Sequence, residues 1–281
     1  MLKTLAGLFC ASMLFACGAP LSSNDDSDIQ IKGGYTAASD SYYAKVVVGI
    51  ATPTYVLRGM TFCSGSFIEE NVILTAAHCV TPDESSTHFP VNNFRIVSGV
   101  TKPEWTVFNV KTIGWNENYD SNSTVNDDPT APNDLALIYV EGANPFTVDV
   151  AWDKEVKLND KIALSGFGTI DGRTATGTLR WVYQFVTGLD PVKKRVDIAK
   201  RTQNNAQGAC GGDSGGPMFV IGPKGKLEQR GVLSIGTVNP RTGECLAWNS
   251  YTDLSYYKDW YIQAKDKLMN AVEEGSSVVK L

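Results

Sequence analysis

The chain has 281 residues, 43% of them hydrophobic and 20% charged, with a formal net charge of −5. That mild acidity, without a basic tract, argues against a nucleic-acid partner. Beyond the N-terminal segment roughly 250 residues remain, enough for one large all-β domain or two small ones.

Residues 1–16 read as a signal peptide. Lys3 is a short basic start, and Leu5 to Phe15 is an apolar run too short to span a bilayer comfortably. The run closes on Leu14-Phe15-Ala16-Cys17-Gly18, which resembles a bacterial lipobox with Cys17 as the lipidated residue. The alternative is plain secretion, with cleavage near Ala16 or Ala19. Either route predicts an exported bacterial protein, a membrane-anchored lipoprotein or a secreted or periplasmic one, touching the membrane only through a lipid at Cys17. Residues 17–30 are small, polar and acidic, which suits a tether or pro-segment rather than a core. Residues 31–281 form the predicted folded domain.

Within that domain, short apolar runs alternate with Gly, Pro, Asn and Asp. Strands are predicted at Ala44–Ile50, Thr61–Ile68, Phe94–Val97, Trp105–Ile113, Leu135–Val140, Lys161–Phe167, Leu179–Val186, Met218–Ile221 and Gly231–Ile235. Pattern alone permits a sandwich or barrels. Glu117 to Asn133 is rich in Asn, Asp, Ser and Thr and reads as a long surface loop. Its Asp120, Asp127 and Asp128 do not match a calcium-loop spacing. Near the C-terminus Leu254, Tyr257, Tyr261, Ala264 and Leu268 share one helical face, with Ser255 as candidate cap.

Three segments carry chemistry: Thr75-Ala76-Ala77-His78-Cys79, Asn133-Asp134-Leu135-Ala136-Leu137 and Gly212-Asp213-Ser214-Gly215-Gly216-Pro217. A serine hydroxyl is a poor nucleophile until an imidazole takes its proton, and the imidazole needs a buried carboxylate to fix its tautomer and stabilise its cation. Glycines beside the serine allow a tight turn whose N–H groups face a developing oxyanion. The only other histidine is His88. Two separated imidazoles without a Cys/His cluster argue against a zinc site, and no cofactor is implied. Gly212-Asp213-Ser214-Gly215-Gly216 also matches the Gly-x-Ser-x-Gly esterase elbow. That fold needs a histidine after the serine, and both histidines precede Ser214.

The three motifs, in the order His78, Asp134, Ser214, resemble those of chymotrypsin/trypsin-like serine proteases, over about Ile31 to Val272. The resemblance implies an all-β fold of two six-stranded antiparallel barrels with a C-terminal α-helix, the triad lying in the cleft between them. It implies a serine endopeptidase acting on proteins or peptides through an acyl-enzyme, with an oxyanion hole from the N–H groups of Gly212 and Ser214. It pairs Cys63 with Cys79 and Cys210 with Cys245, which an oxidising compartment permits. It also implies a zymogen: an activating protease cuts before Ile31, and the new amine pairs with Asp213. Ile31-Lys32-Gly33-Gly34 matches the family's activation terminus except at Lys32, and the cut after Gln30 is not tryptic. The specificity pocket falls on Gly208 at its floor, Ala209, the wall Ser234-Ile235-Gly236, and Asn249, which narrows or polarises it where glycine is common. A floor without a carboxylate leaves a buried cation unpaired, so the expected preference is for small or apolar residues rather than Arg or Lys. Ser64 also departs from the family, which has glycine after the first cysteine, and Gly166-Phe167-Gly168 stands where Gly-Trp-Gly is typical. Neither departure is expected to touch the triad. A monomer is expected. The rival reading is a catalytically silent protease fold acting as a binding module.

Overall fold

The computed structural model describes residues 34–81, 90–120, 122, 124–125, 128–129, 132–169, 177–199, 208–222, 225–239, 241–242 and 244–281. The first half contains β1 (Tyr35–Thr36), α1 (Tyr42–Val46), β2 (Val47–Ala51), α2 (Pro53–Arg58), β3 (Cys63–Glu69), β4 (Val72–Thr75), β5 (Arg95–Ser98) and β6 (Thr106–Trp115), then the short ladder β7 (Thr124–Val125) with β8 (Asp128–Pro129), and β9 (Ala136–Val140). The second half contains β10 (Lys161–Gly166), β11 (Arg180–Asp190), β12 (Arg195–Ile198), β13 (Pro217–Ile221), β14 (Leu227–Val238) and β15 (Cys245–Asp253). Helix α3 (Lys258–Glu273) and β16 (Val278–Lys280) follow.

Each half closes on itself. In the first, pairing runs β6-β5-β2-β3-β4-β9 and returns from β9 to β6; in the second it runs β11-β10-β13-β14-β15-β12 and returns to β11. The result is the two six-stranded antiparallel barrels expected, with β1 added to β11 and β16 added parallel to β6. Closure removes the unpaired strand edges that an open sheet would present.

Apolar side chains on strands buried along most of their length fill each barrel. Phe67, Ile73, Leu74, Ile96, Ile113 and Leu137 are fully buried in the first, and Leu164, Val182, Val196, Met218, Leu233 and Tyr251 in the second. A third cluster, including Tyr43, Val47, Ala163, Phe167 and Phe219, joins the two. There the Ser66 hydroxyl donates to Gln229 Oε1 at 2.6 Å, both residues being fully buried. Helix α3 leaves the second barrel and packs Ala264, Leu268, Ala271 and Val272 against β6 and β9 of the first, so it straps the halves together.

Several local expectations need correction. Ala44 to Val46 belongs to α1, because Ser41 Oγ accepts from the Ala44 N–H at 3.2 Å and caps a short helix; the strand begins at Val47. Ser255 does not cap the long helix. Asp253 instead accepts from the Ser255 N–H at 3.0 Å, forming a 3-10 turn over Leu254–Tyr256, and α3 starts three residues later. The Glu117–Asn133 loop contains the β7–β8 ladder. Strands β4, β12 and β15 were not anticipated; in β12 the alternating Arg195 and Asp197 masked the apolar face of Val196 and Ile198.

Candidate active site

Strands β4 and β9 are neighbours, with Thr75 opposite Ala136. The chain leaves β4 into one 3-10 turn, Ala77–Cys79, carrying His78, and enters β9 directly after Asp134 and Leu135. Adjacent strand ends therefore bring together two side chains 56 positions apart. Asn133, in the left-handed region at φ 62°, turns the backbone into position, and its side chain is held by the carbonyl of Asn118 and the hydroxyl of Tyr257.

Asp134 is fully buried. Its Oδ1 accepts from the His78 backbone N–H at 2.9 Å, and its Oδ2 lies 2.8 Å from His78 Nδ1 and 2.6 Å from the Ser234 hydroxyl. Those donors offset the cost of burying the carboxylate. A proton on Nδ1, facing Asp134, leaves Nε2 as the basic nitrogen. Burial works to lower the His78 pKa, but the charge of Asp134 and its hydrogen bond outweigh burial and hold the imidazole above its ordinary value. Ser234 was expected in the pocket wall. Its hydroxyl braces Asp134.

Ser214 sits half-buried in a turn held at several points. The Asp213 N–H donates to Cys210 O at 3.0 Å, the Gly216 N–H to Asp213 O at 2.8 Å, and the Gly215 N–H to Leu233 O at 2.9 Å. The turn needs its glycines. Gly212 and Gly215 have φ of 93° and 78°, and a Cβ at Gly215 would lie 2.1 Å from Thr75 Oγ1.

Sequence reasoning passed over Ser64 as a mild departure. Its N–H donates to Ser214 O at 2.7 Å, its Oγ donates to Gly212 O at 2.9 Å, and the same Oγ accepts from the Phe167 N–H at 2.9 Å. The only signal available was a hydroxyl where the family has glycine.

Asp213 is buried, and its carboxylate accepts from the N–H groups of Gly168 at 2.7 Å and Cys210 at 2.8 Å. Burial pushes its carboxyl up to about 7, against the downward pull of those two donors. It makes no ion pair among the described residues. Ile31, its expected partner, and Cys17 lie outside the described residues.

Disulfides join Cys63 to Cys79 and Cys210 to Cys245. The first ties β3 to the histidine turn. The second ties the segment carrying Gly208 and Ala209, both buried, to β15. On β15, Asn249 is fully buried. Its Oδ1 accepts from the Ala209 N–H at 2.9 Å, and its Nδ2 donates to Ala209 O at 3.1 Å. This two-way clasp joins the Ala209 segment to β15. Asn249 also faces Gly236 in the ladder, and a Cβ at Gly236 would meet only Asn249 Nδ2, at 3.8 Å. Ile235, half-buried, pairs with Ser250.

His78 and Ser214 line one cleft of about 770 Å³, whose wall includes the Cys63–Cys79 bridge, Tyr55, Phe62 and Phe94. Apart from His78, no side chain that carries charge near neutral pH lines it among the described residues. Cys63, His78 and Cys79 lie close enough together to suggest a metal site, but both sulfurs are committed to the disulfide and cannot serve as thiolates.

Residues 31–261 match the Trypsin family. A trypsin zeta from Drosophila erecta is 28% identical over 271 residues, covering 84% of this chain and 88% of the relative. Trypsin Tyr p 3.0101 from Tyrophagus putrescentiae is 30% identical over 221 residues, covering 71% and 70%. A chymotrypsin from Phaedon cochleariae is 26% identical over 211 residues, covering 70% of each.

Proposed function

The chain belongs to the trypsin family and is a serine endopeptidase, and from that premise we propose how it works, what it cuts and how it is switched on. Ser214 attacks the peptide carbonyl while His78 Nε2 takes its proton and then returns it to the leaving amine. Water, activated by the same nitrogen, hydrolyses the acyl-enzyme. Asp134 orients the imidazole and stabilises its cation. The N–H groups of Gly212 and Ser214 bind the oxyanion, a contribution of about 3–4 kcal/mol per donor. The observation that carries this reading is the bonding of Asp134: two contacts to His78 at 2.8 and 2.9 Å and one to Ser234 at 2.6 Å, beside the cleft that Ser214 shares. An intact set of this kind does not favour a catalytically silent binding module.

The residue before the scissile bond is small or apolar. Gly208 and Ala209 bring no charge to the pocket, and the amide of Asn249 is engaged with Ala209. An Arg or Lys side chain there would be buried without a counter-ion. Activation follows cleavage before Ile31, where the family match also begins. The reading is supported by a buried Asp213 carboxyl pushed up to about 7, a group that a new ammonium would neutralise. Export and lipidation at Cys17 rest on Leu14-Phe15-Ala16-Cys17-Gly18 and on the tether that follows; cleavage before Ile31 would then release the domain from its anchor. A bacterial origin rests on that motif alone, and the relatives above come from a fly, a mite and a beetle. No helix among the described residues is long and apolar enough to cross a membrane.

The test is a cleavage profile on a diverse peptide mixture, with the protein processed to begin at Ile31 and Ser214→Ala in parallel. Cuts after small or apolar residues that vanish in the variant are expected. Dominant cuts after Arg or Lys would overturn the pocket assignment, and cuts that persist in Ser214→Ala would overturn the triad.

A further inference from the structure

Ser64 stands where three pieces of the site meet, and nothing in its local sequence required a hydroxyl there. It is fully buried on β3, one residue after Cys63. Its N–H holds the carbonyl of Ser214 at 2.7 Å, and its carbonyl accepts from the Thr75 hydroxyl at 2.8 Å, at the end of the strand that leads to His78. Its hydroxyl bridges two other segments, donating to Gly212 O and accepting from the Phe167 N–H, each at 2.9 Å. A Cβ on Gly166 would come within 3.1 Å of Ser64 Oγ, and one on Gly216 within 3.3 Å of Ser64 Cβ, so the backbone closes tightly around this side chain.

We propose that Ser64, through its hydroxyl, is a positioning residue that holds the Gly212–Asp213 peptide, and with it the Gly212 and Ser214 N–H groups on either side, in the conformation needed to bind the oxyanion. The reasoning rests on the assignment of Gly212 and Ser214 as the oxyanion donors. Gly212 lies at φ 93°, and a glycine can rotate its flanking peptides at little cost. Anchoring its carbonyl removes that freedom on one side, while the bond to Ser214 O removes it on the other. The Ser214 N–H lies between the two anchors and the Gly212 N–H immediately before the first, so fixing the Gly212–Asp213 peptide limits how far either donor can turn away before substrate arrives, and such preorganisation makes oxyanion donors effective. The link to Phe167 fixes the same carbonyl to the segment whose Gly168 N–H bonds Asp213. None of the bonds made by Ser64 uses the Asp213 carboxylate, so the brace acts alongside the proposed Ile31–Asp213 pair.

The experiment compares the active protein with Ser64→Ala and Ser64→Gly, the latter placing the family's residue there. Steady-state cleavage of a peptide amide is measured together with the affinities of a peptide boronic acid, which forms a tetrahedral adduct on Ser214, and of the cleaved peptide acid, which binds only as a ground state. Expected in both variants are a fall in kcat of about tenfold, an unchanged KM and a matching loss of boronate affinity, with peptide-acid affinity unchanged. A purely structural role would lower the thermal midpoint and leave kcat per folded molecule intact, and that result overturns the proposal. So does an equal loss of boronate and peptide-acid affinity. Should Ser64→Ala fail to fold, Ser64→Gly decides by the same criteria. An unmodified protein that cleaves no amide and forms no boronate adduct would instead refute the hydrolytic assignment itself, which separates the two failures.

Discussion

Cutting the chain before Ile31 should change how its stability depends on pH, and Asp213 sets the size of the change. In the fold its carboxyl is held at about 7, against an ordinary value of 3.8. Ionising it without a cation therefore costs about 4 kcal/mol, at about 1.4 kcal/mol for each tenfold change in proton affinity. The sign follows from which state holds the proton. Below pH 4 folded and unfolded chains are both protonated at this site, and the group is neutral in its effect. Between about 4 and 7 the unfolded chain releases its proton while the fold retains it, so stability falls as pH rises. Above about 7 the full penalty is present. A new N-terminal ammonium beside Asp213 favours the carboxylate, lowers its pKa and removes the fall. For a domain of this size 4 kcal/mol corresponds to about 8 °C in Tm. The measurement is Tm from pH 4 to 7.5 for uncut and cut protein, both carrying Ser214→Ala to prevent self-digestion. The uncut form should lose about 8 °C relative to the cut form across that range, and Asp213→Asn should abolish the difference. Parallel curves for the two forms, or a difference that survives Asp213→Asn, would refute the reasoning.

Ser234→Ala removes the 2.6 Å donor from a fully buried carboxylate and should lower kcat/KM by about tenfold to a hundredfold, consistent with a hydrogen bond to a charged group. It should also move the acid limb of the pH–rate profile upward, since a less satisfied Asp134 favours the imidazolium; steady-state kinetics across pH reads both. Hydrolysis requires neutral His78, whose pKa lies above 6.5, so the rate should fall as pH drops through a value higher than that of free histidine. Asp134→Asn should shift that limb downward and cut kcat by orders of magnitude, and a limb that stays in place would argue against this pairing. Asn249→Ala breaks both bonds to Ala209 and should lower stability by about 1–3 kcal/mol while admitting larger apolar residues before the scissile bond. An unaltered cleavage profile from folded Asn249→Ala would remove Asn249 from the determinants of specificity.

Local chemistry was legible in the sequence because short motifs encode it. A serine bracketed by glycines, a histidine beside a cysteine and an Asn-Asp-Leu entering an apolar run each declare a turn or strand end from neighbouring residues alone. Alternating β-branched runs likewise announced an all-β domain. They did not distinguish a sandwich from barrels, because closure depends on β6 pairing with β9 and β11 with β12, contacts between distant stretches. The same limit hid the roles of three residues. Ser234 lies 100 positions from Asp134, Ser64 lies 148 from Gly212, and Asn249 lies 40 from Ala209. A hydroxyl or amide carries no sign in one dimension of where its hydrogen bond ends, since the partner is a backbone or carboxylate atom delivered by another strand. Composition and motif thus determined which groups were available for catalysis. Barrel closure and the strap of α3 decided which of them meet, because hydrogen bonds act over about 3 Å while the residues they join stand far apart along the chain.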